Sequence, residues 1–239
     1  MELTLGNWLR STSVSPLFGL VATLLAFFAA TRLQRRMGGH PLFHPVLPAI
    51  VVIAVFLWLL HIPAARYFSG AQIIHFLLGP ATVALAVPLY AQLHHVRRAL
   101  VPVLFSIVIG SMTAAGSAVL LAKLLGASRV TILSLAPKSV STPIAMGVAG
   151  KIGGDPGRTV LFVVVTGVLG AIIGSGLFKL LRIRDSRAIG LGMGVASHGV
   201  GTSRALQIDE TAGAFSSLAM GLTGIVTAVL LPIFARLLA

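Results

Sequence analysis

The chain has 239 residues, 56% of them apolar and 10% charged, with a formal charge of +13 and no cysteine. Soluble domains carry about 25% charged residues, so a mean hydropathy of +1.00 marks an all-α polytopic membrane protein. Disulfide and thiolate chemistry are excluded. So is a nucleic-acid surface, because the cations are scattered over short loops with little aromatic interleaving and suit anionic lipid headgroups instead.

Residues 1–15 show neither the regions of a secretory signal nor an Arg/Ser-rich transit segment. A multi-pass protein inserted directly into a bacterial inner membrane is therefore expected. At about 20 apolar residues per span, eight segments are predicted, near 16–31, 45–60, 70–92, 101–125, 130–150, 158–181, 187–206 and 213–236, forming one transmembrane domain over 1–239. The third, fifth and seventh are expected to be discontinuous. Gly79-Pro80 and Pro88 interrupt the third, Pro137 and Pro143 the fifth, and a glycine series including Gly199 and Gly201 the seventh. Proline removes a backbone donor and frees polar groups that hydrocarbon cannot satisfy.

A period of 57 residues runs from Leu78 onward. Leu78-Gly79-Pro80 returns as Leu135-Ala136-Pro137, Gly110 as Gly167, and Thr166-Gly167-Val168 as Thr223-Gly224-Ile225. Each unit reads as a broken segment followed by a long helix; two crossings per unit make direct repeats, while inverted halves, common in secondary transporters, would need a different grouping. Eight plain crossings place eight Lys and Arg residues on one side and nine on the other. The positive-inside rule expects an asymmetry. A re-entrant segment would move Arg182 and Arg184 to the side of Arg35 and Arg36.

Lys138 stands in Leu135-Ala136-Pro137-Lys138-Ser139-Val140-Ser141-Thr142-Pro143-Ile144, inside one of the most apolar stretches. A charge at bilayer depth costs roughly 2.5–3.5 kcal/mol on insertion scales, so it usually faces a cavity or a partner. Half-helix N-termini between Pro137 and Pro143, with Lys138, Ser139, Ser141 and Thr142, suit a small carboxylate. The alternative has Lys138 snorkelling to the headgroups. A second constellation is His198 with Thr202, Ser203 and Arg204, in a run where five glycines disfavour a straight helix. His198 could donate a hydrogen bond or carry a proton, while Arg204 could mark the aqueous end. The segment around Pro80 and Pro88 offers only Thr82 and Tyr90 as polar groups and reads equally as scaffold counterpart or as a proline-kinked packing helix.

The five acids, Glu2, Asp155, Asp185, Asp209 and Glu210, all fall in predicted loops or ends. A cation antiporter is thereby disfavoured, since intramembrane carboxylates are its usual handles. No Ser-His-Asp set, paired carboxylates or metal-ligand spacing occurs at depth, so no enzyme activity, cofactor or metal is expected.

Leu78-Gly79-Pro80-Ala81-Thr82-Val83-Ala84-Leu85-Ala86-Val87-Pro88-Leu89-Tyr90, Ser134-Leu135-Ala136-Pro137-Lys138-Ser139-Val140, Ser197-His198-Gly199-Val200-Gly201-Thr202 and Gly213-Ala214-Phe215-Ser216-Ser217 carry a family resemblance. The whole chain resembles the LrgB/CidB family, often described as holin-like, and is similar to the C-terminal part of the plastidial glycolate/glycerate translocator. His44 and Ser141 depart from the Asn and Thr of that pattern. The resemblance implies transport of small monocarboxylates such as glycolate, glycerate or pyruvate, and partnership with a small LrgA-type membrane protein. An older view of the family implies a holin/antiholin-like regulator of murein hydrolase export and lysis. The residues themselves favour a proton-coupled carrier working by alternating access, as a homo-oligomer, most simply a dimer. Lys138 would bind the carboxylate, the hydroxyls its other oxygens, and His198 a proton.

Overall fold

The computed structural model describes residues 16–39, 43–84, 86–92, 94, 97 and 100–235. Residues 1–15, with Glu2, and Leu85 of the quoted Leu78–Tyr90 motif lie outside them. Every regular element among the described residues is an α-helix, and they fall into two compact units, 1–84 and 85–239. Four helices are long and apolar enough to cross a membrane, starting at Leu17, Leu100, Pro156 and Glu210.

The first unit packs α1 (Pro16–Arg36) against α2 (Val46–Leu59) and α3 (Ala64–Ala84). Ala26, Ala30 and Ala49 form its small-residue core, and Thr23 Oγ1 meets the Tyr67 hydroxyl at 2.6 Å. Large apolar side chains such as Val51, Val55 and Trp58 point outward. Small groups inside and large ones outside is how helices associate in lipid, where van der Waals packing replaces the hydrophobic drive. Pro80 does not break the third predicted segment, because α3 continues through it to Ala84. Pro88 lies within α4 (Ala86–Ala91).

The second unit continues with α5 (Leu100–Leu124), α6 (Arg129–Leu135), α7 (Thr142–Ile152), α8 (Pro156–Leu180), α9 (Ser186–Leu206) and α10 (Glu210–Ala235). The four acids of this unit sit where helices begin. Asp155, Asp185 and Asp209 accept the backbone N–H of Arg158, Arg187 and Ala212, capping α8, α9 and α10, and Glu210 lies in the first turn of α10. Arg187 also donates to the exposed Asp185 carboxylate at 3.1 Å, and this bond holds its pKa below the usual carboxylate range.

Two predicted crossings do not run through. α7 turns back beside α6: the Asp155 N–H donates to Ser134 Oγ at 2.7 Å, and Thr159 Oγ1 donates to the Ser134 carbonyl at 3.0 Å. Likewise α9 folds at His198, where φ is 40° and ψ −131°. Its ends meet, since Ser186 Oγ donates to Asp209 Oδ2 at 2.6 Å, and Met193 packs against Ala205. A straight helix would hold residues 186 and 206 about 30 Å apart. Both segments are therefore helical hairpins, with arms 129–135 and 142–152 in one and 186–197 and 199–206 in the other. They leave from opposite ends of α8, the first from the end at Pro156 and the second from the end at Leu180.

This corrects the direct-repeat reading. A hairpin followed by one long helix reverses the chain's direction, so successive units are inverted. The contacts bear the relation out. The ring of His198, in the second hairpin, lies against Gly167 of α8, and Ile144, in the first hairpin, lies against Gly224 of α10. Each of these two glycines, 57 residues apart, receives the other unit's hairpin.

Candidate functional site

The first turn, 136–141, joins α6 to α7. The amides of Lys138 and Val140 bond to the carbonyls of Leu135 and Pro137, closing it tightly. Pro137 is fully buried in the turn, and Pro143 stands in the first turn of α7, where its missing N–H costs nothing. Ser141 is the N-cap residue of α7 but does not use its hydroxyl to cap. The amides of Ser139, Ser141 and Thr142 have no backbone partner among the described residues. Lys138 is half-buried, and its ammonium donates to Ser139 Oγ at 3.3 Å. The ion pairs among the described residues are Arg158–Asp155 and Arg187–Asp185, so no carboxylate neutralises Lys138.

The second turn is His198 itself. Its positive φ is the conformation expected of glycine, yet Gly199 and Gly201 lie in the helical arm after it. That corrects their assignment as the breaking residues. Gly201 instead lets this arm lie against the Met193 carbonyl. The His198 ring is 6% exposed, and Nε2 lies 3.1 Å from the Val163 carbonyl of α8. A carbonyl only accepts, so Nε2 carries hydrogen and Nδ1 is the nitrogen left to gain or lose a proton. Thr202 Oγ1 donates to the His198 carbonyl at 2.9 Å and takes a hydrogen bond from Ser216 Oγ of α10 at 2.9 Å. This knits the turn to α10.

The turns meet over Val163. Val140 packs with Val163 and Ala145 in one buried cluster, and the carbonyl of Val163 holds His198. Lys138 is within electrostatic reach of the imidazole. On α8, Val163 and Gly167 stand about 10 and 17 Å from the start of a helix about 37 Å long. The meeting point thus lies between one end of α8 and its middle, with Gly167 close to the middle.

Of the residues expected at the site, Lys138, Ser139, Ser141, Thr142, His198 and Thr202 belong to the two turns and their first residues. Ser203 and Arg204 do not reach them. Ser203 Oγ donates to the Val200 carbonyl, and Arg204 reaches Ser175 Oγ at 3.2 Å and Gln207 Oε1 at 3.0 Å, toward the hairpin's base. Sequence reasoning missed Val163, Gly167 and Ser216. Gly167 was visible as a member of the 57-residue period and Ser216 in a quoted motif, but nothing local ties either to His198.

A histidine held at φ 40° stores backbone strain of order 1–3 kcal/mol, which persists only where surroundings enforce it. His198→Gly should therefore fold at least as well as the native chain, with a melting temperature in detergent equal or higher, while any function of the ring is lost. A lower melting temperature would mean that the ring's packing outweighs the strain.

The model of the LrgB-like family matches residues 23–237. An uncharacterized protein, YxaC, of Bacillus subtilis is 38% identical over 86% of this chain and 89% of its own length. An uncharacterized protein of Haemophilus influenzae is 36% identical over 90% and 93%. The antiholin-like protein LrgB of Bacillus mycoides is 32% identical over 94% and 97%. No solved structure matches the chain. With nearly the whole sequence aligned to these relatives and to the family model, the chain belongs to the LrgB-like family.

Proposed function

We propose that the protein is a secondary transporter moving a small monocarboxylate, of the glycolate, glycerate or pyruvate type, across the bacterial inner membrane. The observation that carries this reading is a cation without a counter-charge at the meeting point of two folded-back helical segments. In this reading the hairpins are discontinuous membrane segments. Two half-helices, 142–152 and 199–206, begin at the turns, so their positive dipole ends favour an anion there. Lys138 supplies the full charge, and Ser139, Ser141 and Thr142 supply hydroxyls for the remaining oxygens. One cation suits one carboxylate. His198 Nδ1 takes up the accompanying proton, because no carboxylate stands near to do so. The test is uptake of labelled glycolate and pyruvate into proteoliposomes at two pH values, with competition by two- to four-carbon acids. Saturable uptake that rises with an inward proton gradient supports the reading, and none at either pH overturns it.

A second reading has a specific support, since relatives 32% identical over 94% of the chain carry the name antiholin-like protein LrgB. In it the chain is a membrane regulator or pore component acting with an LrgA-type protein, or as a homo-oligomer. Release of large trapped solutes from the same vesicles, without saturation by any small acid, would favour it.

Orientation follows from the hairpins. The end of α8 at Leu180 gathers Lys179, Arg182, Arg184, Arg187 and Arg204, and by sequence Arg97 and Arg98 before α5. The other end has Lys123, Arg129, Lys151, Arg158 and, by sequence, Arg236. Within the second unit, seven against five supports a cytoplasmic first end. Alkaline phosphatase fused after Ala239 should then be active and a fluorescent protein fused there dark.

A further inference from the structure

We infer that the hairpins 129–152 and 186–206 are re-entrant gates opening toward opposite aqueous compartments, so that each closes the Lys138–His198 site from its own side. Three independent features carry this.

The bases are tied to opposite ends of one long helix. Arg158, two residues into α8, donates to Thr131 Oγ1 at 3.2 Å near the start of the first hairpin. Ser186, six residues after α8 ends, closes on Asp209 at the base of the second. At about 37 Å, α8 exceeds the roughly 30 Å hydrocarbon thickness, so its two ends reach different sides of the bilayer.

Each turn stops inside that length. Val140 and His198 both contact Val163, and beyond that level neither hairpin continues along α8. Irregular backbone within a membrane is tolerated only where protein covers it or where it lines a water-filled cavity. Here each turn is covered by the other unit's long helix, Ile144 by Gly224 and His198 by Gly167. The coverage is reciprocal, as an inverted pair requires.

The polar groups are graded along the same axis. Caps and charged pairs occupy the bases: Asp155 with Arg158, Asp185 with Arg187, and Asp209 with Ser186. Between base and turn the buried polar side chains are neutral hydroxyls such as Ser134, Ser197 and Thr202. Lys138 and His198 are the ionisable groups at the turns. A segment crossing completely would need a charged, solvated end on each side, and neither hairpin has a second one.

The arrangement does not depend on the cargo, so it stands or falls apart from the transport reading. The natural chain has no cysteine, which makes the test direct. Four single substitutions, Leu125→Cys, Lys151→Cys, Leu181→Cys and Ile208→Cys, fall at exposed positions flanking the hairpins. A membrane-impermeant maleimide is added to intact spheroplasts, with labelling after permeabilisation as the reference for each variant. Opposed gates require residues 125 and 151 to label as one pair and 181 and 208 as the other, only one pair reacting from outside. Three complete crossings, by 129–152, α8 and 186–206, would instead pair 125 with 181 and 151 with 208. That pairing, or all four reacting alike from one side, overturns the inference.

Discussion

Lys138→Ala is expected to lower saturable carboxylate uptake by roughly 10- to 100-fold, the equivalent of one hydrogen bond to a charged group at about 1.5–3 kcal/mol. Amount and stability of the folded protein should hold or rise. No carboxylate in the described structure depends on this ammonium, so its removal leaves no buried opposite charge. It also removes a charge whose insertion at depth costs roughly 2.5–3.5 kcal/mol. A residue kept at such a cost without structural return is one whose return comes from a ligand. Lys138→Arg should recover only part of the rate, since a planar fork replaces a compact ammonium beside Ser139 Oγ. Uptake is to be normalised to monodisperse protein from size-exclusion chromatography. Native rates in Lys138→Ala would remove the carboxylate from this turn.

What the sequence makes legible is chemistry that is locally out of place. A lysine between two prolines, and a histidine among glycines, stand out because each conflicts with its surroundings. The structure puts both at chain reversals. Depth and direction were less legible. A hairpin of two short apolar arms and a single crossing of about 20 apolar residues have nearly the same composition, and only long-range contacts separate them. Ser186 with Asp209 and Ser134 with Asp155 are such contacts, 23 and 21 residues apart. The 57-residue period was readable, but its hand was not, because inversion depends on whether each unit crosses once or twice. Pro80 misled in its own way, since α3 continues through it to Ala84 and the proline does not mark a break. Arg204 misled as well: closeness in sequence to His198 suggested a shared site, while one arm of helix carries it toward the base.

Two glycine substitutions should separate packing from function. At Gly194 an added methyl would press on the Ser216 carbonyl and lie 2.8 Å from the Ala219 Cβ, both fixed parts of α10. Neither can rotate away, so the second hairpin must lift off α10, at the roughly 1–3 kcal/mol of an overpacked core. Gly194→Ala should therefore reduce folded protein and lower its melting temperature. At Gly167 the same methyl would lie 2.7 Å from His198 Cε1, 2.9 Å from Nε2 and 3.1 Å from Val200 Cγ2. These are side-chain atoms, and the imidazole can swing aside if it gives up the Val163 carbonyl. Gly167→Ala should thus yield well-folded protein whose ring has left the Val163 carbonyl, with uptake lost to about the extent seen in His198→Gly. Thermal melts and uptake, measured side by side on the two variants, distinguish the cases. Folded Gly167→Ala protein with native uptake would mean that the ring's position against Val163 is dispensable, and the proton would have to travel by a group other than His198.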